Sequence, residues 1–121
     1  NFTGIRIGVS AARGLAMSLD VHAVGVNTFE ATLLGQPAGT TALVAAPREQ
    51  AYVFDGTNVT LTANWAASKT ALFPPDPDKL AASIAHIAAT SDDTNLPVPL
   101  YIRPADAAPA SDPPPVILDD A

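Results

Sequence analysis

The chain contains no cysteine, which removes disulfide scaffolds, thiol nucleophiles and zinc–thiolate sites together. Basic residues are also scarce. Six Lys and Arg stand against twelve Asp and Glu, for a formal charge of −6. A protein that grips a phosphate backbone by itself needs a positive footprint, so this composition argues against nucleic-acid binding by the chain alone. No apolar run approaches the roughly 20 residues of a membrane-spanning helix, and no membrane association is expected. Catalytic motifs are missing too. His22 and His86 are far apart and form no His-x-x-x-His pair, and there is no Gly-x-Ser-x-Gly nucleophile elbow. Ser10 and Ser18 fall in a predicted helix with no base beside them. Asp55 belongs to a predicted turn, and the pairs Asp92-Asp93 and Asp119-Asp120 read as solvated ends rather than metal ligands.

What is present is a chain of 121 residues that is 48% hydrophobic. That is one ordinary domain by length, able to bury about two thirds of its unfolded surface. Proline and glycine are segregated. Gly4, Gly8, Gly14 and Gly25 lie in the first quarter, whereas only Pro37 and Pro47 precede Pro74. Regular elements are therefore expected early and an irregular tail late.

Thr3–Leu19 predicts a helix with Thr3 as its N-cap. Ile5, Val9, Ala12 and Ala16 form one stripe at helical spacing. Gly4, Gly8, Ala11, Leu15 and Ser18 form an adjacent stripe of mostly small residues. Two readings are open: a helix laid flat on a sheet, or a helix packed closely on another helix, including one from a partner chain. Arg6 and Arg13 exclude a membrane dimer helix, despite the small-residue spacing.

Val21–Val26 is short, apolar and rich in valine, and predicts a buried strand. Asn27, Thr28 and Glu30 carry a helix-start pattern, and Gly35 a stop. Thr41–Ala46 and Ala51–Phe54 predict strands around the polar turn Pro47–Gln50. Asp55-Gly56 predicts a hairpin turn into Asn58–Thr62. Trp65 and Phe73 are expected to anchor a loop or short helix. Asp76-Pro77-Asp78 opens a helix whose buried face is Leu80, Ile84, Ile87 and Ala88. Leu96–Arg103, interrupted by Pro97 and Pro99, is expected only as an edge strand. Pro104–Pro115 reads as extended polyproline-like chain, followed by a small apolar plug, Val116-Ile117-Leu118. Alternation of helices and strands places the whole in the α/β class.

Three segments resemble one bacterial family. Phe2-Thr3-Gly4-Ile5-Arg6-Ile7-Gly8, then Ala11-Ala12-Arg13-Gly14-Leu15-Ala16, then Val24-Gly25-Val26-Asn27-Thr28-Phe29-Glu30-Ala31, are similar in order and without gaps to TsaB (YeaZ) sequences. Weaker echoes follow at Ala42–Tyr52 and at Pro99-Leu100-Tyr101-Ile102-Arg103. The resemblance implies an α/β actin-like ATPase fold built on ribonuclease-H-like lobes. Residues 1–35 would be the remnant of the first lobe, 36–103 a reduced second lobe and 104–121 a proline-rich tail. Asn1 stands where the family has Ser, and the Gly-Pro-Gly and opening strands before it are absent, so a fragment is expected. The turn Ala46-Pro47-Arg48 replaces the family's Asp-Ala-Arg.

The implied function is making threonylcarbamoyladenosine next to the anticodon of tRNA, in the cytoplasm. This chain would be a non-catalytic subunit supporting the metal-holding paralogue TsaD, with the ATPase TsaE joining them. It would form a homodimer when alone and meet tRNA only through the complex. No catalytic residue, cofactor or metal site is expected on it. Gly4, Gly8, Ala11, Leu15 and Ser18 are the candidate partner interface. The alternatives are a glycoprotease-like peptidase and an ATPase or sugar-kinase-like domain of the same fold. The first needs a nucleophile or metal site and the second a phosphate loop.

Overall fold

The computed structural model describes residues 2–67 and 70–102. Helix α1 spans Phe2–Leu19 and is followed by α2, Thr28–Leu33. Strands β1 (Thr41–Ala45), β2 (Ala51–Phe54) and β3 (Val59–Thr62) come next. A single 3₁₀ turn at Trp65–Ala67, the two-residue strand β4 (Ala71–Leu72) and helix α3 (Pro77–Ala89) complete the order. The result is a mixed α/β unit with one four-stranded sheet in the order β3-β2-β1-β4.

Helix α1 begins one residue before its expected cap, so Thr3 lies inside it. It carries no acid in its first turn and no base in its last, so no side chain offsets its macrodipole. The helix ends in a hydrogen-bonded turn. Asp20 takes the left-handed conformation (φ 52°), the Val21 N–H donates to the Ala16 carbonyl at 3.0 Å, and the Asp20 N–H reaches Met17 at 3.4 Å. The turn spends the Val21 amide before any sheet could use it.

Val21–Val26 does not form the expected strand; it is an irregular connection outside the sheet. A strand exists only with a neighbour to exchange hydrogen bonds, and no described strand lies alongside it. The chain then enters α2 through the predicted capping box. Asn27 Oδ1 accepts from the Glu30 N–H at 2.9 Å, and Glu30 Oε2 accepts from the Asn27 N–H at 3.3 Å.

Strands β1, β2 and β3 form the expected antiparallel meander, with Leu43 opposite Val53 and Tyr52 opposite Leu61. Strand β4 adds a parallel pairing to β1, with Thr41 against Ala71 and Ala42 against Leu72. Trp65 binds the loop before β4 to the first hairpin. Its indole N–H donates to the Glu49 carbonyl at 3.1 Å, and its ring meets Phe73 edge-on at 5.0 Å. Arg48 and Glu49 in that hairpin turn both hold positive φ (61° and 57°).

The core is small. Phe29, Ala31 and Thr32 of α2 are buried with Ala42 and Leu43 of β1 and Ala51 of β2. Helix α2 packs against both β1 and α3, so this core continues across residue 35. The Phe29 and Phe54 rings lie 5.3 Å apart at 33°. In α3, Pro77 occupies the first turn as expected, but Asp76 makes no side-chain cap bond. Leu80, Ile84, Ile87 and Ala88 are half-buried rather than buried.

The hairpin turn between β2 and β3 contains a testable charge. Asp55 Oδ1 accepts from the N–H groups of Asn58 (2.8 Å) and Thr57 (2.9 Å), and Gly56 supplies the required positive φ of 98°. The Asn58 and then the Thr57 hydrogen bonds hold the Asp55 carboxyl below its ordinary value of 3.8. A depressed folded-state pKa means that the carboxylate's stabilisation is complete above that ordinary value. It is lost as pH falls through the lowered one. Asp55→Asn keeps the accepting oxygen and should flatten stability in this acidic window. An NMR titration of Asp55 with its midpoint at or above 3.8 would contradict the assignment.

Candidate functional site

The five stripe residues fall on one side of α1. Gly4, Gly8, Ala11, Leu15 and Ser18 are all exposed, and at 100° per residue they span a single sector of the helix. Ile7 and Leu19, each 65% exposed, border that sector, and Leu15 is 59% exposed within it. A Cβ added at Gly8 would meet no atom within 4 Å. Ser18 Oγ donates back to the Leu15 carbonyl at 2.9 Å, so this hydroxyl is satisfied within the helix. Of the two packings expected for α1, the sheet of this chain supplies neither: the strands take α2 as their helix.

The opposite side of α1 is held by the segment Leu96–Ile102. This segment is not the expected edge strand; among the described residues it pairs with none of the four strands. Pro97 and Pro99 have no N–H to place in a ladder, and the bonds come instead from side chains. The Arg13 guanidinium donates to the Pro97 carbonyl. Arg6 Nε donates to the Tyr101 hydroxyl at 2.8 Å, and its guanidinium lies 5.7 Å from the ring centroid. Pro97 is buried and backs onto Gly25, where an added Cβ would lie only 3.2 Å from the Pro97 Cβ. Leu96–Ile102 is therefore a strap running antiparallel to α1, from Arg13 towards Arg6. Arg6 and Arg13, seven residues apart, project to one face, and that spacing was the only sequence signal for the strap. Its acceptors, a carbonyl and a hydroxyl more than eighty residues on, gave none.

The strap leaves a cleft at the end of α1, lined by Arg13, Met17, Asp20, His22, Thr94 and Leu96. Arg13 Nε is buried at its wall without a hydrogen-bond partner. Among the described residues no three of His, Asp and Glu come together in a geometry that could hold a metal ion. The described residues thus do not supply the kind of metal centre implied for the catalytic paralogue. No helix among the described residues is long and apolar enough to cross a membrane.

No curated protein and no solved structure matches the chain significantly. A family model does, over residues 1–99, which include α1, the sheet, α3 and the start of the strap. It is the model of TsaD, tRNA N6-adenosine threonylcarbamoyltransferase, a wider grouping than the TsaB resemblance. A match over so much of the chain settles the family: this chain belongs to the TsaD family of tRNA N6-adenosine threonylcarbamoyltransferases.

Proposed function

We propose that this chain is a TsaB-like, non-catalytic member of the family that supports a catalytic TsaD in threonylcarbamoyl transfer to tRNA. The single observation that carries the reading is the open face of α1. A helix strapped down on its Arg6 and Arg13 side presents Gly8, Ala11 and Leu15 to solvent on the other. Small residues at this spacing let a second helix backbone approach closely, and the flanking Ile7 and Leu19 offer apolar area to bury. The fold proposed with it is actin-like, with an incomplete first lobe and a reduced second one. The same face would serve a second copy or TsaD, making the two contacts mutually exclusive. TsaE joining the complex, and work in the cytoplasm, belong to the same proposal.

The test is Ala11→Glu in the longest available form of the protein. Ala11 is exposed, so the fold should be unaffected by circular dichroism. A carboxylate in a close helix contact is desolvated without a partner and should weaken TsaD binding about 100-fold or more. Threonylcarbamoyladenosine in tRNA should fall with it. A folded variant that binds TsaD with unchanged affinity would reject the docking face.

A further inference from the structure

We propose that the cleft lined by the Arg48 hairpin turn, the outer strands β2 and β3 and the end of the strap binds a small organic carboxylate with a flat apolar body. The cleft has a volume of about 600 Å³, within the range of small-ligand sites. Strand pairing builds its floor. Tyr52 stands opposite Leu61, and Val59, two residues before Leu61, falls on the same face. Phe54 shares that face and packs on Phe29 of α2, whereas Leu61 remains 51% exposed. Ile102 lines the cleft with them and is the last described residue. Pro104–Pro115 and the plug Val116-Ile117-Leu118 lie outside the described residues.

Arg48, Gln50 and Tyr52 line the same cleft, and their side chains make no hydrogen bond or ion pair with a described residue. No acid lines it. One guanidinium, one amide and one hydroxyl suit a carboxylate, whose two oxygens match the guanidinium fork; a phosphate dianion would leave a charge unmatched. The Tyr52 ring with Val59, Leu61 and Ile102 takes a flat apolar body. The backbone supplies an independent sign. Arg48 and Glu49 hold consecutive positive φ values of 61° and 57°, a conformation that glycine or asparagine ordinarily fills. The turn is held by the Ala46 N–H on the Gln50 carbonyl at 2.9 Å and by the Trp65 indole on the Glu49 carbonyl at 3.1 Å. A hairpin that only had to turn would carry Asn-Gly here. An arginine costs stability at this position and sets a cation at the cleft, the kind of strain that collects at ligand sites. The cleft uses no residue of α1, so it stands or falls apart from the docking face.

The test titrates the full chain with phenylacetate and follows amide chemical shifts. Saturable shifts should centre on Gln50, Tyr52, Leu61 and Ile102, with a dissociation constant on the order of millimolar. Phenylacetamide, which has the shape without the charge, should bind about tenfold more weakly or worse, and so should inorganic phosphate at equal ionic strength. Arg48→Gly and Glu49→Gly should each raise the melting temperature by roughly 2–5 °C, because each relieves one positive φ. Only Arg48→Gly should lose affinity, by about tenfold or more. Arg48→Gln should lose the same affinity with no gain in melting temperature. Shifts elsewhere or nowhere, or unchanged affinity in Arg48→Gly, would overturn the proposal. So would phenylacetamide binding as tightly as phenylacetate, which marks a merely apolar surface, or phosphate doing so, which marks a site that reads charge alone.

Discussion

Leu43→Ala is expected to cost about 3 kcal/mol, seen as a lower urea midpoint at unchanged slope. Leu43 is 1% exposed, in the strand that carries ladders on both edges, to β2 and to β4. Removing its branched end deletes buried methyl groups and leaves a cavity that a hydrogen-bonded strand cannot close by shifting. Ala31 and Ala51, also buried in this small core, have no side-chain freedom to fill the space. Total stabilities of domains this size are on the order of 5–15 kcal/mol, so the variant should sit near the edge of folding at 37 °C. A loss under about 1 kcal/mol would mean that the strand relaxes into the cavity, and that β1 is not the centre of the core.

Phe29→Ala should be of similar size, about 3–4 kcal/mol. The ring is 3% exposed and is the largest side chain that α2 contributes to the core. It also stacks on Phe54 at 5.3 Å, which ties the six-residue helix to the end of β2. So short a helix is not stable by itself; its capping box orients it, and Phe29 holds it in place. A double-mutant cycle with Phe54→Ala should return a coupling of about 1 kcal/mol for the ring pair. Additive effects would mean that the two rings contribute only by separate burial. Loss of α2 should also loosen α3, which packs on it, so the amides of Leu80–Ile87 should exchange faster in Phe29→Ala.

Both substitutions test a part of the molecule that was readable in outline from the chain itself. The Asn27/Glu30 capping box, the stop near Gly35, the Asp55-Gly56 hairpin and Pro77 at the start of α3 all act within three or four residues. Residue type and spacing decide such contacts before any tertiary packing exists. The meander of β1, β2 and β3 belongs to the same group, because tight turns dictate its register. The small-residue stripe on α1 was likewise visible, as a periodicity. The TsaD family at large was also legible in the ordered segments of residues 2–31, but the TsaB branch read from them is not what the family model names.

What pairs with what over long distances was decided only by the tertiary structure. Val21–Val26 has the composition of a buried strand, yet its first amide closes the end of α1 and Gly25 backs onto Pro97. Leu96–Arg103 was read as an interrupted edge strand, yet over its described residues, 96–102, the prolines lack donors and arginines from α1 bind the Pro97 carbonyl and the Tyr101 hydroxyl. Strand β4 is two residues long and exists only because β1 offers an open parallel edge. Spacing likewise left the stripe on α1 open to a sheet or to another helix, and in the structure that face is exposed. The physical reason is common to all four. A strand, a strap or a packed face is defined by a partner distant in sequence, and hydrogen-bonding capacity alone does not say which partner arrives.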